Sequence, residues 1–182
     1  SKQFIRIFKK EDGSYESMVQ RVYRQIREAD PEANVTVATS KTQVSALHNQ
    51  LGEDVGISVE PCRRDTFPAV VVCPVDHYVE ADYFRALQTL QTLAEQDMAK
   101  LVLMGITPTY PSEKYGYILP QKKGVVSPVD TFKEKPDQKT AEEYIRQGAL
   151  WNGGVVAYKI GYVLERARKL LGFTVYQDLY DR

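Results

Sequence analysis

No apolar stretch in this sequence approaches the ~20 consecutive residues that a membrane-spanning helix requires, and no signal-peptide pattern is visible. The expectation is a cytoplasmic protein without a membrane partner. Cysteine is scarce: Cys62 and Cys73 are the only two, and their separation matches neither a metal site nor a redox pair. Neither sign of charge is in excess, with 24 basic and 24 acidic residues. That balance removes the electrostatic case for nucleic acid as the main partner, so any phosphate site must be a local arrangement. Repeats and low-complexity segments are absent too. What remains is an ordinary globular composition, 43% hydrophobic and 26% charged over 182 residues, enough for one domain with a real core.

Within that composition the run Val70-Val71-Val72-Cys73-Pro74-Val75-Asp76-His77 is the most informative. Its β-branched start reads as a strand buried on both faces, with Cys73 as a small hydrophobe inside it. Pro74 has no N–H to continue a ladder and stops the strand. Asp76 follows, where an open α/β sheet collects ligands, and a carboxylate there can hold a divalent cation against a phosphate. The plain alternative is a polar strand end, with His77 packing beside it.

The rest of the chain alternates strand and helix. Met18, Val19, Val22 and Ile26 stripe a helix over 16–29, ended by Asp30-Pro31. Strands are expected at 35–39, 57–60, 70–74, 101–106, 117–119, 129–134 and 155–158. Ser40 can cap a helix carrying Val44, Leu47 and Leu51. Further helices are expected over 81–96, around Ala141 to Ile145, and over 160–171. This pattern predicts a Rossmann-like α/β fold: a mixed, mostly parallel sheet covered by helices on both faces. One connection resists it. Strands 57–60 and 70–74 should be parallel neighbours, yet only Pro61 to Ala69 separate them, and a parallel crossover needs a dozen or more residues. The expectation is a break between Ala69 and Val70, with residues omitted there. The opening is equally abrupt, because Ser1-Lys2-Gln3-Phe4 lacks the first strand and glycine-rich turn with which a phosphate-binding α/β domain begins.

Four further stretches carry chemistry. Glu60 to Ala69 holds a carboxylate, the guanidiniums of Arg63 and Arg64, and the Thr66 hydroxyl; it also reads as a solvated loop. Tyr115-Gly116-Tyr117 sets a glycine between aromatics, permitting close approach to a ligand, or simply a bulge. Phe132-Lys133-Glu134-Lys135-Pro136 offers Glu134 to sugar hydroxyls and Lys135 to a phosphate, or a polar edge strand. Trp151-Asn152-Gly153-Gly154 offers an amide that both donates and accepts, or a turn.

In chain order, Ser1-Lys2-Gln3-Phe4, Glu60-Pro61 with Arg64-Asp65-Thr66 and Pro68-Ala69, Pro74-Val75-Asp76-His77, Gly105-Ile106 with Pro108-Thr109 and Tyr115 to Ile118, Phe132 with Glu134-Lys135-Pro136, and Trp151-Asn152-Gly153 resemble the motif series of mannose-1-phosphate guanylyltransferases. These belong to the sugar-phosphate nucleotidyltransferase superfamily. The resemblance implies one nucleotidyltransferase domain over 1–182, lacking its N-terminal phosphate loop and its C-terminal part. It implies transfer of a guanylyl group from GTP to mannose 1-phosphate, giving GDP-mannose and pyrophosphate with Mg²⁺ as cofactor. Lys2 matches the lysine on the nucleotide phosphates, Asp76 the Mg²⁺ ligand and Lys135 the lysine on the sugar phosphate. Glu134, Asn152 and Gly116, with Tyr117 beside them, match positions that hold the sugar. Glu60 matches the base-reading position, with Arg64 and Thr66 in the same nucleotide-binding loop. An ionised Glu60 suits guanine, whose N1–H and N2–H₂ are adjacent donors.

Without the phosphate loop and a second metal-binding aspartate, these 182 residues alone are expected to be nearly inactive, and the parent protein active. Two other readings stay open: a transferase for another hexose 1-phosphate, and a non-catalytic homologue that holds a nucleotide sugar. A homo-oligomer is compatible with either.

Overall fold

The computed structural model describes residues 2–59, 69–75 and 77–172. After a 3-10 turn over Lys2–Phe4, the chain forms a hairpin of β1 (Arg6–Lys9) and β2 (Tyr15–Ser17). This hairpin is missing from the expected elements, although Asp12-Gly13 is a strong turn signal. Gly13 takes φ +84°, and Asp12 Oδ1 accepts from Ser14 N at 2.8 Å. Ser17 ends β2 and caps α1 (Met18–Ala29) through a reciprocal box with Gln20. Behind the cap the buried Glu16 carboxylate takes two hydrogen bonds from Arg24, at 2.7 and 3.1 Å. Ion-paired and hydrogen-bonded, it avoids the penalty of a lone buried charge.

β3 (Thr36–Thr39) and β4 (Gly56–Val59) make a separate parallel pair joined through α2 (Val44–Leu51). Ser40 precedes a 3-10 turn over Lys41–Gln43 and makes no side-chain cap; its hydroxyl meets Thr42 instead.

The main sheet is built around β9 (Leu150–Lys159), a strand of ten residues. β6 (Val102–Ile106) lies antiparallel along one edge. The other edge is shared: β5 (Ala69–Val72) pairs with residues 156–159 and β7 (Tyr117–Pro120) with 150–151, both antiparallel. β8 (Val129–Lys133) closes the sheet beside β7. The α/β class stands, but the expected preponderance of parallel pairing does not: among the described residues only β3 and β4 pair parallel. An apolar run reports burial on both faces, and a central antiparallel strand is buried in the same way as a parallel one.

β4 and β5 are likewise not sheet neighbours among the described residues. Ala69 and Val70 follow one another in β5, opposite Lys159 and Tyr158. The nine-residue stretch between these strands lies outside the described residues.

α3 (Ala81–Glu95) covers β5, β6 and β9. Its Leu90 and Ala94 are buried with Met104, Val155 and Ala157, and Cys73 packs at the margin of that cluster as expected of a small hydrophobe. Burial of a side chain such as Leu90 contributes about 1.5–3 kcal/mol. α4 (Gln138–Arg146), capped by Asp137, packs on β7 around Tyr117, Ala141 and Ala149. α5 (Ile160–Leu171) continues from β9. No helix among the described residues is long and apolar enough to cross a membrane.

Candidate functional site

Because β5 and β7 occupy opposite ends of one edge of β9, residues 152–155 between them have no strand partner on that side among the described residues. This gap in the pairing is the candidate opening of the site, with Gly154 exposed in it. Asn152 stands at one end of it, its N–H donating to Gly116 O at 2.7 Å, just before β7 begins. At the other end an atom at the Gly154 Cβ position would lie 3.5 Å from Pro74 Cγ. The segment that leads to Asp76 therefore arrives at the same opening.

Gly116 is the floor on which the sugar-holding candidates meet. A Cβ placed there would lie 2.6 Å from Glu134 Oε2, 2.9 Å from Phe132 Cζ and 3.4 Å from Asn152 Cβ. Only a hydrogen side chain lets these groups converge. Glu134 and Lys135 follow β8 directly. Lys135 adopts φ +44°, and its N–H donates to Tyr115 O at 3.2 Å. A non-glycine residue in this left-handed region costs about 1–2 kcal/mol, a strain typical of functional positions. Lys135 Nζ lies 3.4 Å from Glu134 Oε1 with both side chains mostly exposed. The pair adds little to stability, but it sets a cation and an acceptor side by side at the opening.

The remaining expected residues divide. Lys2 is exposed on its 3-10 turn, which is held against α1 and tied to α2 by Gln50 Nε2 donating to Phe4 O at 2.9 Å. Tyr117, expected near the sugar, is instead a core residue. Its side chain is fully buried, and its hydroxyl accepts from Ser112 N at 2.9 Å and donates to Ser112 O at 3.0 Å. It anchors the loop before β7 and presents nothing to the opening; the alternation of side chains along β7 that buries it was not separable from the motif in the sequence. Glu60, Arg64, Thr66 and Asp76 lie outside the described residues. Among the described residues no three His, Cys, Asp or Glu side chains gather as a metal-binding set. His77 is partly buried, consistent with packing. Beside it Tyr78 lies under the Arg21 guanidinium at 4.7 Å, and Phe8 lies 5.8 Å from the same group. Phe8 and Tyr78 also stack on each other at 6.1 Å, and this three-way contact fastens the hairpin and α1 to the segment after β5.

Sequence reasoning missed the aromatic group beside the site. Trp151 meets Tyr115 at 4.9 Å with the rings tilted by 52°, and Tyr110 edge-on at 5.1 Å. The Tyr110 hydroxyl pushes the Tyr115 phenol above its usual pKa. Tyr110 also lines an open cavity of about 440 Å³ against Ile145 and Arg146 of α4. Its proximity depends on the register of β6, β7 and β9, which no local pattern announces.

Comparison with known proteins places this geometry. The nucleotidyl transferase family matches residues 11–174. The xanthan biosynthesis protein XanB of Xanthomonas campestris pv. campestris (strain B100) is 32% identical over 175 residues, covering 84% of this chain and 37% of the relative. The mannose-1-phosphate guanylyltransferase of Escherichia coli (strain K12) is 31% identical over 150 residues, covering 66% and 30%. A crystal structure described as mannose-1-phosphate geranyltransferase from Thermus thermophilus superposes with a TM-score of 0.74 at 26% identity, over 94% of this chain and 58% of that one. The chain thus spans less than two fifths of the length of these curated relatives. Since 84% of 182 residues is about 153, the 175-residue match to XanB leaves gaps on this chain's side. With its sheet, its opening and the match over residues 11–174 in agreement, the chain belongs to the nucleotidyl transferase family.

Proposed function

We propose that the chain is part of a mannose-1-phosphate guanylyltransferase, which joins GTP and mannose 1-phosphate into GDP-mannose and pyrophosphate. The observation that carries this reading is the convergence of Glu134 and Asn152 on Gly116, with the Lys135 ammonium beside them. A carboxylate and an amide can satisfy vicinal sugar hydroxyls, and a neighbouring cation can take the phosphate on C1. The name of the Escherichia coli (strain K12) relative, mannose-1-phosphate guanylyltransferase, supports the same substrates.

In this reading the sugar-phosphate oxygen attacks the α-phosphorus of GTP in line and pyrophosphate leaves. The protein's part is to hold two anions together in attack geometry. Glu134 and Asn152 fix the hexose ring and Lys135 offsets the charge of its phosphate. Lys2, Glu60, Arg64 and Thr66 are assigned to the nucleotide on the resemblance of their motifs, with Glu60 reading guanine. Mg²⁺ at Asp76 has the same support.

Pyrophosphate release by the complete gene product, with GTP and a panel of hexose 1-phosphates, tests the reading. Mannose 1-phosphate is expected to be the preferred acceptor. Preference for another hexose would favour the related transferase, and binding of GDP-mannose without any release would favour a binding homologue. Lys135→Ala is expected to raise the KM for mannose 1-phosphate about tenfold, the equivalent of ~1.4 kcal/mol, with the KM for GTP unchanged. An equal rise for both substrates would contradict its place on the sugar phosphate.

A further inference from the structure

Two residues of the sugar cluster each have an aromatic neighbour in sequence: Tyr115 precedes Gly116, and Trp151 precedes Asn152. Their rings lie 4.9 Å apart, while their successors are joined by the 2.7 Å bond from Asn152 N to Gly116 O. The aromatic contact and the cluster are therefore two sides of one junction between β7 and β9. The Trp151 Nε1–H is buried and has no hydrogen-bond partner. No polar anchor sets the angle of the indole, so packing does so, against the Tyr117, Ala141 and Ala149 cluster and the ring of Tyr115. Tyr110 adds an edge-on ring contact at 5.1 Å and 73°, from the loop after β6. It is itself half-exposed.

We propose that Tyr110 is a positioning residue for the sugar phosphate. Its ring holds Trp151, and through the backbone of Trp151-Asn152 it holds Asn152 beside Gly116, with the Asn152 Oδ1 accepting from Gly154 N at 3.3 Å. This rests on the reading of Gly116, Glu134 and Asn152 as the sugar site. A ring contact of this kind is worth enough to change an affinity about fivefold. The effect is confined to one substrate, because the junction lies at the sugar end of the opening.

The test uses the complete gene product, with a Trp151→Phe variant to identify that indole's share of the emission. Affinities for mannose 1-phosphate and for GTP are measured separately by calorimetry, and Trp151 emission is recorded alongside. Tyr110→Ala is expected to weaken mannose 1-phosphate about fivefold, leave GTP unchanged and shift the emission to the red. Tyr110→Phe, which keeps the ring, is expected to stay within about twofold of the parent on both ligands. Tyr110→Leu, which keeps most of the apolar volume without the ring, is expected to behave as the alanine variant does and serves if that variant folds poorly. Unchanged mannose 1-phosphate affinity in the alanine and leucine variants overturns the proposal. So does an equal loss for both ligands, or a phenylalanine variant as weak as alanine. A parent chain that binds no hexose 1-phosphate at all instead overturns the reading of the sugar site itself.

Discussion

Gly116→Ala is expected to remove mannose 1-phosphate binding, weakening it about 100-fold, while the protein still folds. The added methyl would sit 2.6 Å from the Glu134 carboxylate and 2.9 Å from the Phe132 ring. Both side chains are exposed and can swing aside, so the clash relaxes outward rather than into the core. Glu134 then leaves the position from which it can accept a sugar hydroxyl. A hydrogen bond to a charged group is worth about 1.5–3 kcal/mol, and the same methyl crowds Asn152 at 3.4 Å. Calorimetric titration beside a thermal melt would check this. A variant that binds the sugar phosphate normally would show that the ligand does not approach Gly116.

The second large effect concerns stability. Tyr117→Phe is expected to lower the free energy of unfolding by about 2–4 kcal/mol. The phenol satisfies both the N–H and the C=O of Ser112, a residue that is itself buried. Removing the oxygen leaves two buried backbone groups unpaired, at about 1–3 kcal/mol each. Urea denaturation gives the value directly. A loss below ~1 kcal/mol would mean that water replaces the phenol.

Much of the fold was legible because its periodicities are strong. The stripe Met18, Val19, Val22 and Ile26 gives α1 to within two residues at its start, and the Asp30-Pro31 stop gives its end. Strand direction was not legible, since an apolar run does not say which way its neighbour runs. The length of β9 was concealed by glycine. Gly153-Gly154 reads as a turn, but Gly153 lies inside the strand because a Cβ would meet Ile106 Cδ1 at 2.8 Å. Gly154 takes φ +69° where the register with β6 shifts. In both places glycine marks close approach and a bulge rather than a chain reversal. At the site, Glu134, Asn152 and Gly116 were legible only through the order of their motifs along the chain. Their meeting depends on β7 pairing with both β8 and β9, a long-range fact. Lys135 gave no sign in sequence of its left-handed backbone.

Among the described residues β5 bonds to β9 and β4 bonds to β3, each along a single side. Among the described residues the opposite flank of each has no strand partner, and Val72 is 40% exposed. Such a flank templates further strands. The isolated polypeptide is accordingly expected to self-associate as its concentration rises, which light scattering would register as a growing particle mass. Val72→Lys should suppress that growth without touching the sugar end of the molecule.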